Sequence, residues 1–425
     1  MSSIDNTTLR IIDPSFDKSN FRAEFRLPTD SVLLSNFRLV NIGISSNQTD
    51  SYSPTLGAQG AISAIHLYDG GQLLDTVRDF NTYASFKNIN KTNDANISQN
   101  RRLNYVGLGF VQDGVQSATA DVLDKNDYTL TALDPVADNL TKQGWLSLQN
   151  CFSFLRASMV VPTSLFRQLR VVVQYKSAEA LKNAVRDRRD GTLTTDTGTA
   201  LLCEEVAEGP VKVEMARRYE GVVYRPIEFD SVQIPAVPDL AATNDATKVI
   251  AQNNNFILHG FNNKKLHRIL VVKKPTQEDT WVNGNVNKGY GNNGSEAQWL
   301  ENLQVRVNGA NKLAGSGLSG KNKRLAMLTD VWGDCNVING QQFVQTGKFN
   351  NYVSGVNTLQ ATQGSVDYAA LIIEEYITNL QIFLDRSGVY DNPRLAQVLD
   401  VIVMGETERA VIPDNQGGYK LIYTQ

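Results

Sequence analysis

A period of two dominates this chain. In Phe21-Arg-Ala-Glu-Phe-Arg-Leu27 the apolar residues Phe21, Ala23, Phe25 and Leu27 alternate with charges, the pattern of a strand with one buried face. Asn36–Ile44 and Ala61–Tyr68 follow, the latter ending at Asp69-Gly70-Gly71, which reads as a hairpin turn. Leu169–Tyr175 is a β-branched run too short for an ordinary helix. The second half repeats the theme in Lys265–Val272, Leu303–Val307 before Asn308-Gly309, Ala370–Ile373 leading through Leu380–Leu384, and Leu399–Val403. Helical stretches are few. Ser177–Arg189 is the best, and Asp75–Asn88 and Lys321–Val331 each have room for two or three turns. Strand and helix do not alternate as a parallel α/β sheet requires, so the pattern predicts an all-β chain.

At 425 residues there is room for two domains, and some spacings suggest that one architecture occurs twice. Arg38-Leu-Val aligns with Arg268-Ile-Leu, and Leu169-x-Val-Val-Val with Leu399-x-Val-Ile-Val, at a common offset of half the chain. The Asp69-Gly70 turn aligns with Asn308-Gly309 at a similar one. Between the strands, 107–144, 235–255, 275–294 and 339–364 read as long loops, which are usually functional or partner-facing. Their material is the 39 Asn and 31 Gly, residues that tolerate left-handed backbone.

Charge narrows the function. Lys+Arg 41 against Asp+Glu 44 gives a net −3, without the basic excess of a protein that coats nucleic acid. No apolar run is long enough to cross a bilayer, and MSSIDNTTLR has neither the basic nor the apolar part of a secretory signal. Cys151, Cys203 and Cys335 are sparse and form no CxxC pair, which suits folding in a reducing compartment.

Candidate chemistry is thin. Gly315-Ser-Gly-Leu-Ser-Gly-Lys321 matches a phosphate-binding loop up to its lysine, but Asn322 stands where a hydroxyl should hold magnesium, so a glycine-rich surface loop is the better reading. His66, His259 and His267 show no metal-ligand spacing, and no Gly-x-Ser-x-Gly nucleophile elbow occurs. Glu374 and Glu375 are adjacent on a strand, point to opposite faces and cannot share a site. The clusters Arg186–Arg189, Lys273-Lys274 and Lys321–Arg324 are short and read as solvated surface. No catalytic residue, cofactor-binding residue or metal ligand is assigned, no cofactor is expected, and no enzymatic activity follows.

Three stretches carry a family resemblance. Ile65-His-Leu-Tyr-Asp-Gly-Gly-Gln-Leu-Leu-Asp-Thr-Val-Arg-Asp-Phe80, continuing through Asn81–Lys87 and Asn93–Asn100, is similar to the first jelly roll of double jelly-roll major capsid proteins. These occur in polinton-like viruses, adintoviruses, virophages and related double-stranded DNA viruses. Val161–Tyr175 resembles the closing strand of that jelly roll, and Val223-Tyr-Arg-Pro-Ile-Glu-Phe-Asp230 the start of the second. The similarity is strongest over residues 15–235. It implies two eight-stranded antiparallel jelly rolls side by side, with a few short helices: a terminal arm at 1–18, the first jelly roll with its connecting segment at 19–215, and the second at 216–425. It implies trimers forming pseudo-hexagonal capsomers that tile an icosahedral shell, with partners in further copies, minor capsid or penton proteins and an inner membrane, and no sequence-specific nucleic-acid binding. Location would be the virion capsid, after synthesis in the host cytoplasm or nucleus. The arm, poor in apolar area, is expected to order only on assembly. The alternative is a jelly-roll attachment protein of a virion, binding glycan through Trp145, Trp281, Trp299 or Trp332; a phosphate-loop nucleotide binder ranks below it.

Overall fold

The alternating segments become antiparallel ladders throughout. The computed structural model describes residues 6–17, 21–45, 62–80, 83, 143–175, 194–195, 199–235, 249–275, 301–315, 317–318, 327, 331, 368–389, 398–414 and 418–423.

The second half shows the topology most clearly. It contains β14 (Ile227–Ile234), β15 (Val249–Leu258), β16 (Lys264–Pro275), β17 (Glu301–Val307), β18 (Ala310–Asn311), β19 (Tyr368–Ile377), β20 (Leu380–Val389) and β21 (Leu399–Thr407). One sheet runs β14-β21-β16-β19 and the other β15-β20-β17-β18. Numbered along the chain, these eight strands lie in the orders 1-8-3-6 and 2-7-4-5, the arrangement of a jelly roll built from two Greek keys.

The first half has β1 (Thr7–Ile12), β2 (Ser15–Asp17), β3 (Arg22–Arg26), β4 (Val32–Leu34), β5 (Arg38–Ser45), β6 (Ile62–Asp69), β7 (Gln72–Val77) and β8 (Gln143–Ser147). After β8 come helix α1 (Ser153–Ala157), β9 (Val160–Pro162), β10 (Leu169–Tyr175), β11 (Thr194–Thr195), β12 (Ala200–Val206) and helix α2 (Gly209–Arg217). One sheet is ordered β2-β3-β10-β6-β7; the other centres on β11-β5-β12-β4-β9, with β1 on β12 and β8 on β5. The trio β3-β10-β6 repeats β14-β21-β16, and the pair β5·β8 repeats β15·β20. A third sheet, β13 (Val222–Tyr224), β22 (Arg409–Pro413) and β23 (Tyr419–Tyr423), lies where the chain passes between the sandwiches.

The repeat is real but is not the one that the letter matches draw. Leu169 and Leu399 do open equivalent strands, β10 and β21. Arg38 lies in β5 and Arg268 in β16, however, strands of different sheets in the repeat. The Gly70 turn joins β6 to β7, whereas the Gly309 turn joins β17 to β18 in the opposite kind of sheet. Any two Arg-aliphatic strings look alike; sheet order separates them.

Other expectations need correction. Asp75–Val77, read as the start of a helix, belongs to β7. The 235–255 loop ends early because β15 begins at Val249. That strand hides in its own sequence, since Gln252-Asn-Asn-Asn255 lacks apolar alternation on an edge strand whose Asn253 and Asn255 are exposed. Gln143 and Gly144, assigned to the 107–144 loop, open β8. The arm is not unstructured in a single chain: β1 pairs with β12 from Thr7↔Val206 to Ile12↔Leu201, and β2 pairs with β3. Pro275, assigned to the 275–294 loop, closes β16. The remainder of 107–144 and of 275–294, the Ser177–Arg189 helix and the 339–364 loop lie outside the described residues. Of Lys321–Val331 only Met327 and Val331 are described, both helical.

The core explains the continuous apolar runs. Ile269, Val271, Ala369, Leu371, Val401 and Val403 face the interior of the second jelly roll. Leu270, Val272, Ala370, Ile402 and Met404, on the other face of the same sheet, join a cluster that includes Ala23, Phe25, Val171, Val173 and Phe154 of the first half. The β14-β21-β16-β19 sheet is therefore buried on both faces, and alternation gives way to unbroken aliphatic sequence as it does in any doubly covered sheet.

Candidate functional site

The most elaborate polar construction among the described residues joins the two sandwiches. The first contributes the β6–β7 hairpin. Gly70, at φ 54, makes its turn, with open space where a side chain would stand. Downstream, the carbonyls of Leu73 and Leu74 point at the third sheet. Tyr224 of β13 donates its hydroxyl to Leu74 O at 2.7 Å. Arg409 of β22 donates from Nη1 to Leu74 O at 3.0 Å and to Leu73 O at 3.3 Å, and its Nη2 donates to Glu228 of β14. The guanidinium also sits over the Tyr423 ring, 5.0 Å from the centroid.

Around these bonds lies an aromatic stack. Phe154 of α1 meets Tyr224 edge to face at 5.4 Å and Phe166 at 6.1 Å, and Phe166 continues to Tyr419 of β23 at 4.8 Å. Asp75 anchors α1 to β7 by accepting from Thr76 N (2.8 Å), Ser153 Oγ (2.9 Å) and Phe154 N (2.9 Å). Complete burial pushes its carboxyl up to about 6, against the pull of those donors and of Arg409. Arg409 and Asp75 are 4% and 1% exposed, so the construction is a strut and not a binding cleft. It can hold an angle between two sandwiches.

A second cluster fastens β1. Glu205 of β12 accepts from Arg10 of β1, from Lys212 of α2 at 2.5 Å and from Ser31 at 2.7 Å. Burial opposes its charge, but the bonds from Lys212, Ser31 and Arg10 prevail and hold the carboxyl down at about 2. Glu204 is shared by Thr7 (3.4 Å) and Asn36 (2.9 Å).

The residues singled out in the sequence scatter. His66 pairs with Thr76 Oγ1 at 2.7 Å in β6, and burial, with Arg78 and Arg22, depresses it to about 4. His259 is exposed. Glu374 reaches His267 whereas Glu375 reaches Lys312, so the adjacent acids serve different partners, as expected. Leu318 in the glycine-rich string is bridged to Leu303 in both directions, at 3.1 and 2.8 Å. Its amide is thus committed to a strand contact and cannot cradle a phosphate, which counts against the nucleotide reading. Lys321 and the Arg186–Arg189 and Lys321–Arg324 clusters lie outside the described residues, as do Trp281, Trp299, Trp332 and Cys335; Trp145 falls in β8. Cys151 and Cys203 are buried, and burial pushes the Cys203 thiol up to about 11. Among the described residues no group of three His, Cys, Asp or Glu could hold a metal, and no helix is long and apolar enough to cross a membrane. Sequence reasoning missed Arg409, Tyr224 and Glu205 because each has partners 150 or more positions away: Leu74 for Arg409 and Tyr224, Ser31 and Arg10 for Glu205.

No family model matches the chain, and no curated protein matches it. Solved structures do. PBCV-1 VP54, as fitted into a reconstruction of the virophage Sputnik, superposes over 99% of this chain and 97% of its own, with a TM-score of 0.56 and 10% identity. The structure of the Sputnik virophage contains a chain matching 99% of this one and 88% of its own, at TM-score 0.57 and 10% identity. The Faustovirus major capsid protein matches over 96% and 90%, at TM-score 0.54 and 9% identity. These likenesses and the strand orders agree on the fold: the chain is a double jelly roll.

Proposed function

We propose that this chain is the major capsid protein of a double-stranded DNA virus of the polinton-like, adintovirus or virophage-related lineages. Three copies would form a pseudo-hexagonal capsomer, and capsomers would tile an icosahedral shell. The observation that carries this reading is the repeat held rigid by the strut. One chain presents two similar sandwiches at an angle fixed by Arg409 and Tyr224, so three chains present six similar faces. The solved structures of like fold include the Faustovirus major capsid protein and a model of the PBCV-1 virus capsid, which supports the same role. The domain plan belongs to this proposal: a first unit to about residue 215, a second from 216, and a terminal segment 1–18 that here supplies β1 and β2 to the first sandwich. Minor capsid or penton proteins and an inner membrane would be the further partners. The protein acts by shape and contact, not by catalysis.

The test is mass and outline in solution. Three chains of 46.9 kDa give a particle of about 141 kDa, which light scattering resolves from a monomer and which micrographs should show with a hexagonal profile. A monomer at every concentration and salt would overturn the reading.

A further inference from the structure

β17 and β18 are joined by a two-residue turn. Asn308 at φ 50 and Gly309 at φ 87 form it, closed by the Val307↔Ala310 pair, in the left-handed geometry that Asn-Gly supplies. Asn308 does more than turn the chain. Its Oδ1 accepts from Thr378 N at 2.8 Å, from Thr378 Oγ1 at 2.8 Å and from Asn379 N at 3.2 Å. Its Nδ2 donates to Tyr376 O at 2.7 Å, and its backbone amide donates to Asn379 O at 2.9 Å. Thr378 and Asn379 make the corner by which the chain leaves β19 in one sheet for β20 in the other. One exposed residue thus clasps a hairpin turn to a crossover corner, with carbonyl oxygen and NH2 each facing the group it needs.

The same residue is chemically labile. An asparagine followed by glycine can lose its amide without an enzyme, because no side chain screens the glycine nitrogen. Deprotonated Gly309 N attacks Asn308 Cγ, the Cγ–Nδ2 bond breaks, and the leaving nitrogen takes a proton from water and departs as ammonia. Water then opens the succinimide ring at one carbonyl to give aspartate, or at the other to give isoaspartate. One water is consumed and one ammonia released, with no oxidant or reductant. Ring closure must draw Cγ to bonding distance of Gly309 N and make it tetrahedral. The side-chain amide then cannot keep its three donors and its acceptor, so the shut clasp and the reacting geometry exclude each other.

We propose that Asn308 is a modification site guarded by the fold, its amide safe while the clasp is shut and open to hydrolysis through Gly309 when the two turns part. The change is one-way. Aspartate has no NH2 for Tyr376 O and sets a negative charge against that carbonyl. Isoaspartate adds a backbone atom to a turn whose register admits two residues. The inference concerns a single chain and stands whether or not the protein builds a shell.

The experiment incubates the full-length protein in mildly alkaline buffer, folded or in denaturing urea, and follows each Asn-Gly pair by peptide mass. Asn283, Asn293 and Asn339, the other asparagines followed by glycine, calibrate the urea reaction. In urea Asn308 should keep pace with them; in the folded protein it should react at least about tenfold more slowly than in urea. Thr378→Val removes the hydroxyl donor and keeps both backbone donors. Lys312 still pairs with Glu375 across the same gap, so this variant should fold. Its Asn308 should react about fivefold faster than the wild type when folded, the worth of one hydrogen bond, and no faster in urea. Aged wild type, separated on its added negative charge, should show faster hydrogen exchange at amides 378 and 379, with 169–175 unchanged. Equal rates for Asn308 in the folded and urea-denatured wild type, or unchanged exchange at 378 and 379 after its hydrolysis, would overturn the proposal.

Discussion

Arg409 illustrates how much one side chain can carry when it is buried with its counter-charge. Replacing it with Met leaves the Glu228 carboxylate without that partner and takes the guanidinium donor from Leu73 O and from Leu74 O, the latter keeping the Tyr224 hydroxyl, a loss of about 3–5 kcal/mol. Urea unfolding at neutral pH measures it. Tyr224→Phe removes only one hydroxyl donor and should cost about 1 kcal/mol by the same assay. Glu205 makes stability depend on acid in the opposite sense to Asp75. Its carboxyl is depressed to about 2 in the folded chain, so its contribution is complete above the ordinary glutamate range and is lost as pH falls toward 2. Glu205→Gln should therefore be less stable at pH 7 and lose less between pH 5 and 3. Asp75, raised to about 6, favours its protonated form on folding. Its share is greatest below the ordinary aspartate range and fades as pH climbs to about 6. Gly405 is required by space: a Cβ there would lie 2.5 Å from Phe261 Cε1 and 2.7 Å from Leu266 Cδ1, both buried. Gly405→Ala should cost about 1–3 kcal/mol in the same unfolding assay through forced repacking.

Among the elements, β1 bears the clearest prediction. It covers the edge of β12 along six residue pairs and is fastened by Arg10, while Leu9 and Ile11 stay exposed. Deleting residues 1–12 uncovers the β12 edge, and a bare edge invites pairing with another chain. Sedimentation of the truncated protein should show concentration-dependent association beyond the wild-type species. The strands that sequence reveals and those it conceals differ for physical reasons. β3, β6, β10, β16 and β21 were legible because their positions in the sandwich demand either strict alternation or unbroken aliphatic residues. β15 and β1 are edge strands held by backbone bonding, so their side chains answer to solvent and carry no period. The Asp75–Val77 end of β7 was read as the start of a helix because Asp75-Thr-Val looks the same on either backbone until the hairpin partner is known. The strut was illegible for a stronger reason. Arg409 and Leu74 are separated by 335 positions, and no local pattern announces a contact of that range.

At the scale of the molecule, the doubly buried sheet sets how the chain unfolds. Its two faces belong to two clusters, so neither sandwich can open without stripping apolar area from the other. Calorimetry should find a single transition, and a preparation cut near residue 216 should not yield two independently folded halves. The same sheet governs the order of events during synthesis. Met404 and Val411, near the end of the chain, complete a cluster begun by Ala23 and Phe25 near its start. A ribosome would have to release nearly the whole polypeptide before the first-made sandwich could close over its apolar face. Throughout that interval the nascent chain would carry a hydrophobic surface that only its own last strands fit, and it would need shelter from its neighbours on the same message.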